Sequence, residues 1–449
     1  MAGIAGITKP SEQNRVSQML DLISYRGNNL PKIYESDGIT MGIVDSKKRN
    51  NIPTNLYRQK SIADGTGNGH LSEAEIINGK IELTRDELGV APLYYDIDPD
   101  GTVYFASEVK ALLSIKKKPY ELPPSHRLVN NKTEPYFFLE KQQPSTESIK
   151  YQSKELRRRM EQAITMRITG NNIGAWLSGG LDSSTIVALA KPYINPFHTF
   201  AAGFKNAEDL EYARLVAGYT GSIHHELVLT VNDILKALPL VIFHLESFDA
   251  LLVRSSIPNF LVSKASSDYV SEVFSGEAGD EFFAGYQYLK SIPPNSLDDE
   301  LILISKSLHN TALQRVDRCA SAFGLTTHVI FADPLVFEFA LQIPIRYKLF
   351  KGIEKWILRR SMDGDLPQQI LNRPKTKFWE GAGIKEILSD YATMHISDHD
   401  FKNECNLNNG WRLNSKEELM YYRIFKEHFG EIEDLEWMGR TKVMRSQMQ

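Results

Sequence analysis

The chain has 449 residues, 42% hydrophobic and 10% aromatic, enough to bury the cores of two or three domains. A formal net charge of −4, from 52 basic against 56 acidic residues, excludes the basic footprint of a nucleic-acid binder, so an acidic ligand has to be held by a local site. Cys319 and Cys405 cannot build a disulfide framework or a four-thiolate zinc site, no apolar run reaches the roughly 20 residues that span a bilayer, and the amino terminus lacks a signal pattern; a cytoplasmic enzyme without a membrane partner is expected.

From the amino terminus, the short apolar runs GITMGIVD, KIELTRD, APLYYDI and TVYFASE are separated by Gly, Asp, Asn and Pro, and predict a mostly antiparallel β domain. The polar stretch FLEKQQPSTESIKYQSKE, residues 138–155, contains Pro144 and leads into the helix-like SKELRRRMEQAITMRI, which sets two domains at 1–144 and 145–449. Beyond it the texture changes. NIGAWLS reads as a strand, SSTIVALAKPY as a helix, FHTFAAGF as a strand, EDLEYARLVAGYT as a helix and IHHELVL as a strand. That β-α-β-α-β series predicts a doubly wound parallel sheet with crossover helices. TVNDILKALPLVIFHLE and SIPNFLVSKASS read as helices, YVSEVFS as a strand, and the chain from about residue 300 as largely helical.

The turn between the first strand and helix of this series, LSGGLDSS, is the strongest chemical signal. Ligands of open parallel sheets bind at the carboxyl ends of strands. Gly179 and Gly180 let the backbone approach a phosphate, and Ser178, Ser183 and Ser184 add hydroxyl donors beside the positive end of a helix. Asp182 would repel phosphates unless a cation intervenes, which argues for a magnesium-bound nucleotide. The segment lacks the Gly-Lys-Ser/Thr of a Walker loop.

SGGLDSS resembles the pyrophosphate loop of ATP-pyrophosphatases, which cleave ATP to AMP and pyrophosphate. DLEYARLVAGYTGSIHHELVLT, HLESFDALLVRSSIP, VFSGEAGDEFFAGY, RVDRCASAFGLTTHVIFADPLVFEFA and RPKTKFWEGAG resemble, in this order, segments of glutamine-dependent asparagine synthetase. In the first domain MAGIAGI, LISYRGNN, TRDELGVAPLYY, FASEVKALL and LPPSH resemble that family's glutaminase half. The resemblance implies an amino-terminal sandwich of the Ntn-hydrolase type followed by an α/β ATP-pyrophosphatase domain with a helical carboxyl-terminal part. It implies ATP and Mg2+, with a carboxylate such as aspartate activated as an acyl-adenylate that an amine, ammonia in the family, then attacks. By the same resemblance, Asp182 and Asp280 are the Mg2+ ligands, and Arg254 and Lys375 neutralise the pyrophosphate held by Ser178, Gly179, Gly180, Ser183 and Ser184. Leu177, Ala202, Ser275 and Gly276 line the adenosine pocket. Glu277 handles the proton of the amide-forming step, since only neutral amine attacks and the intermediate must shed a proton. Related β-lactam-forming synthetases carry Tyr there, so Glu277 points to the amide-forming branch.

Two departures qualify the resemblance. In THVIFADP, His328 and Ile330 stand where the family has Arg and Pro, while Asp333 matches, and a changed substrate wall is expected. At position 2 the family's nucleophilic Cys is Ala2, whose methyl group cannot form a thioester, and ADGTGNGH replaces the glutamine-binding NGEIYN segment. The first domain therefore reads as a degenerate glutaminase kept as scaffold, with the amine drawn from solution or from a separate donor protein. A homodimer is compatible with the sequence. A lactam- or peptide-cyclising synthetase and a nucleotide-binding homologue without catalysis stay open as alternatives.

Overall fold

A computed structural model describes residues 2–27, 29–45, 60–67, 69–170, 172–374 and 384–441. Its first eleven strands are β1 (Gly3–Ile7), β2 (Lys32–Ser36), β3 (Ile39–Val44), β4 (Ser61–Gly67), β5 (His70–Ile77), β6 (Lys80–Arg85), β7 (Tyr94–Ile97), β8 (Val103–Ala106), β9 (Tyr120–Glu121), β10 (His126–Val129) and β11 (Lys132–Pro135). They form two antiparallel sheets, in the orders β2-β3-β1-β8-β7-β9 and β11-β10-β6-β5-β4. The two-residue period of a strand explains how they stack. Ala2 and Ile4 enter a core shared with Ile62, Ala74 and Leu83 of the second sheet. Ala5 and Ile7 point the other way, onto the helices Gln13–Leu22 and Val109–Ser114. Those two helices were not read from the sequence. QNRVSQMLDL buries Val16, Met19 and Leu20 at helical spacing, a three-residue stripe in an otherwise polar segment.

The second unit starts with the helix Ile149–Thr165 and carries five parallel strands: β12 (Ile173–Trp176), β13 (His198–Phe204), β14 (Ile223–Leu229), β15 (Glu272–Ser275) and β16 (Thr326–Val329). The expected helices and strands up to residue 275 are all present, including Glu208–Thr220 and Val231–Leu245. The remainder is largely helical as expected, with β16 as an unread strand: Thr326, Thr327 and His328 are buried but polar, so no apolar run announced it. The sheet order is β14-β13-β12-β15-β16. The chain thus builds outward from β12 in one direction and returns to its other side with β15, which makes the β12/β15 gap the point where the winding reverses. Among the described residues no helix is long and apolar enough to cross a membrane.

The two units are joined by buried charge. Arg26 reaches Asp64 at 2.8 Å, Glu108 at 2.8 Å and Asp317 at 2.9 Å, and its Nε donates to the Ala2 carbonyl at 2.7 Å. Arg318 reaches Glu108 at 2.8 Å and Glu246 at 3.1 Å, and Lys110 contacts the same two carboxylates. Three cations thus face four carboxylates, all nearly or fully out of solvent. Burial would push Glu108 up, but Arg318, Lys110 and Arg26 outweigh it and hold its carboxyl well below the usual range. Asp317 goes the other way: burial, with Asp64 beside it, raises its carboxyl against the pull of Arg26.

Removing one member of such a set strands its partners in a dry interior, at a cost of about 3–5 kcal/mol. Arg26→Met is accordingly expected to lower the unfolding free energy measured in urea by that amount, and Arg26→Met combined with Asp317→Asn to lose less than the sum of the two single changes. Additive losses in the double variant would show that the pair is not coupled.

Candidate active site

β12 ends at Trp176, and the Leu177 amide still bonds to the Phe200 carbonyl of β13 at 2.8 Å, so the chain leaves the sheet only at Ser178. It then turns through Gly179 at φ +69°, a conformation that favours glycine; a Cβ there would lie 2.5 Å from the Ala213 amide nitrogen. Gly180 is the N-cap of the helix Leu181–Ala190, and no side chain caps that end. Ser183 Oγ accepts from the Ser178 amide at 3.2 Å and lies 3.1 Å from Ser178 Oγ, bracing the loop across its mouth. From β15, Ser275, Gly276 and Glu277 come alongside. A Cβ on Gly276 would stand 2.7 Å from the Ser183 amide nitrogen, so the two loops pack backbone to backbone.

Between them opens a cavity of about 630 Å3, its walls drawn from both loops, the helix Ala250–Ser267 and the segment 286–312. Ten expected site residues line it: Leu177, Ser178, Gly180, Asp182, Ser183, Ala202, Ser275, Gly276, Glu277 and Asp280. Gly179 packs outward against Tyr212 and Ala213, and Ser184 is wholly buried in the helix behind the loop. Lys375 lies outside the described residues.

Arg254 departs from expectation. Leu251, Leu252, Ser255 and Asn259 occupy the cavity face of their helix, which leaves Arg254 on the adjoining face, paired with Glu417 through Nε at 2.6 Å and through its terminal nitrogen. His328 likewise does not line the cavity. It is buried in β16, its Nε2 2.6 Å from Glu272, so the expected change of substrate wall does not occur at this residue. Asp333 pairs with Arg167 and caps the helix Pro334–Gln342.

Two cations of the site escaped the sequence reading. Lys355, 2% exposed and at φ +55°, places Nζ 2.6 Å from Asp280 and in contact with Asp182, joining the two carboxylates expected to bind metal. Its surroundings, GIEKWILRR, give no motif; only the fold brings residue 355 to residue 182. Arg315 stands 2.8 Å from Glu277 and 2.9 Å from Ser255 Oγ. It falls in the RVDRCAS segment that carried the resemblance, a signal from which no residue was drawn. Arg373 bonds to the Ser178 carbonyl at 3.3 Å and to Asp209 at 2.5 Å, tying the loop to the next helix. Behind Asp280, burial and the Asp280 charge push the Glu281 carboxyl up to about 7, although Tyr286 donates to it at 2.5 Å.

The Asparagine synthase family matches residues 155–298 and 293–449, and the Glutamine amidotransferase domain family matches residues 75–157. An asparagine synthetase [glutamine-hydrolyzing] of Sandersonia aurantiaca is 33% identical over 399 residues, covering 82% of this chain and 75% of the relative. This chain belongs to the asparagine synthetase family. Asparagine synthetase [glutamine-hydrolyzing] 2 of Oryza sativa subsp. japonica is 36% identical over 375 residues, covering 77% of this chain and 63% of the rice protein's length. Solved NMN and NAD synthetase structures from Francisella tularensis and Campylobacter jejuni overlap only loosely, with TM-scores of 0.30 and 0.29 at 13% and 12% identity, covering 64% and 65% of this chain and 98% and 99% of theirs.

Within this family member, Lys355 holds two carboxylates that would otherwise repel each other. Lys355→Met should therefore cost a few kcal/mol of stability, within the ~3–5 kcal/mol typical of a broken buried pair, and Asp280→Asn in the same background should return part of it. Thermal unfolding of the two variants beside the parent chain measures this; no loss in Lys355→Met would show that the cation is dispensable.

Proposed function

We propose that the chain is an ATP-dependent amide-forming ligase of the asparagine synthetase type. A carboxylate, aspartate or a related acid, attacks the α-phosphate of ATP to give an acyl-adenylate and pyrophosphate, and ammonia or another amine then displaces AMP. The observation that carries this reading is the convergence of the Ser178–Ser184 loop, Asp182, Asp280 and Glu277 on one cavity where the winding of the sheet reverses. Charge grows on the departing pyrophosphate, so donors and cations must be in place beforehand. Of the loop residues expected to hold the pyrophosphate, Ser178, Gly180 and Ser183 line the cavity and supply the donors, while Gly179 turns the loop and Ser184 lies buried behind it; Lys355, and Lys375 by resemblance, supply positive charge. Leu177, Ala202, Ser275 and Gly276 flank the adenosine.

Asp182 and Asp280 offer hard oxygens that already meet at one cation, a donor pair that suits Mg2+ when phosphate oxygens complete the shell. Among the described residues no third acid, His or Cys joins them. Mg2+ there would neutralise the leaving group. Glu277 accepts the proton of the attacking amine, and Arg315 keeps its carboxylate oriented.

We further assign residues 1–144 to a glutaminase-like domain without glutaminase activity and 145–449 to the synthetase domain. The relatives bear glutamine-hydrolyzing names, but this chain has Ala2 at the nucleophile position, its amide donating to Asp64 at 3.1 Å and its methyl buried. Arg26, in the segment resembling the family's HRGPD, is committed to three carboxylates.

With ATP, Mg2+, ammonium and a suitable acid the products should be AMP and pyrophosphate; ADP and phosphate would overturn the reading, and tight ATP binding with no pyrophosphate from any acid would favour a non-catalytic homologue. Asp182→Asn and Asp280→Asn should each lower turnover by ~100-fold or more, the scale of other preorganised electrostatic sites. Near-normal turnover in either would remove it from the site. Ala2→Cys alone should release no glutamate from glutamine, because ADGTGNGH replaces the segment that binds glutamine in the family. Brisk release would mean that the pocket is intact.

A further inference from the structure

Adenylation as proposed uses only part of the cavity. Past Glu277 and Arg315 its wall includes Leu251, Tyr286, Tyr288, Leu303 and Ile304, beside the polar Glu300, Ser307 and Asn310. Both phenol hydroxyls are turned to carboxylates, Tyr286 to Glu281 and Tyr288 to Glu300 at 2.8 Å, so the rings show carbon to the cavity. The wall rests on a small core of its own, Ala284, Leu289, Leu297 and Leu301, which fixes its shape. Leu303 nevertheless remains 47% exposed, an apolar side chain at a cavity edge with nothing over it.

The charges of the cavity point the same way. Among the described residues lining it, Arg315 is held by Glu277, Lys355 by Asp182 and Asp280, Arg359 by Glu354, Arg373 by Asp209 and Arg440 by Glu418. A free amino acid activated at its side chain would bring a second carboxylate and an ammonium group inside, and each needs a partner once desolvated. Among these described residues each interior cation already faces a carboxylate. Lys306 has no ion pair, but it is exposed at the far rim, where it and His309 also line a second cavity of about 390 Å3 beneath Pro124, Phe137 and Phe138. Lys306 and His309 thus stand between the first cavity and a second one that reaches the first domain.

Resting on the adenylation reading, we infer that the carboxylate activated here is borne on an extended apolar body, larger than a free amino acid, which lies along Tyr286, Tyr288, Leu303 and Ile304 with its far end toward Lys306. Two sources share that chemistry: an acid with an aliphatic or aromatic chain, and an acidic side chain within an apolar peptide.

The test is ATP-pyrophosphate exchange by the full chain with aspartate, 3-phenylpropanoate and a terminally blocked Phe-Asp-Leu tripeptide. One of the two apolar probes is expected to exceed aspartate in kcat/KM by ~10-fold or more, the least that a single methylene group contributes in an apolar pocket, and which probe wins identifies the source. Leu303→Asp, an exposed position that tolerates a polar residue, should bring that ratio toward one, and Tyr288→Ala should do the same. Aspartate as the best substrate, or a ratio unmoved by both variants, overturns this inference while adenylation stands. Exchange with no acid at all overturns the adenylation reading and this inference with it.

Discussion

Asp182 and Asp280 are 98 positions apart in sequence, yet both touch the ammonium of Lys355. Two carboxylates at that separation repel, and the arrangement persists because one buried cation lies between them. The strand order makes the meeting possible: β12 and β15 are neighbours, so the loops leaving their carboxyl ends face each other across one crevice. The close approach of Gly276 to the Ser183 amide sets how tightly that crevice can shut. Without the reversal of winding at β12 the loop at Ser178 would have no acidic wall opposite it.

Much of the fold was legible because its signals are local. A run such as EDLEYARLVAGYT carries its helix period and ends on a glycine in the left-handed conformation, and IHHELVL forms the strand that follows. β16 was hidden because Thr326, Thr327 and His328 are polar residues buried by their neighbours, and the helix Gln13–Leu22 because its apolar stripe is only three residues long. The site divides in the same way. Ser178 to Ser183 and Ser275 to Asp280 come from two short contiguous segments, so spacing and resemblance found them. Lys355 and Arg315 act through long-range contacts that no window of sequence contains. The resemblance gives Arg254 a position but not the face of its helix; it lies off the cavity face, and Glu417, its partner, lies 163 positions further on.

The first domain is β-rich and keeps the two-layer arrangement of sheets, yet its position 2 is a buried methyl group inside a lattice of charge. Arg26, Asp64 and Glu108 from this domain and Glu246, Asp317 and Arg318 from the synthetase part are mutual partners. In water each would be solvated; here each depends on the others. The set thus fixes how the halves meet, since each charge is dried on docking and is compensated only by its partners in the set.

The helix Ala312–Ser321 gives this a mechanical meaning. Arg315 projects from it to Glu277 in the cavity, and Asp317 and Arg318, within one turn, are gripped by the first domain. A rigid rod pinned at both faces cannot let one domain swing without moving a side chain at the other's working centre. The two domains are therefore tied through one helix. A chain severed between them would lose the registration of that rod even if each piece kept its own sheets.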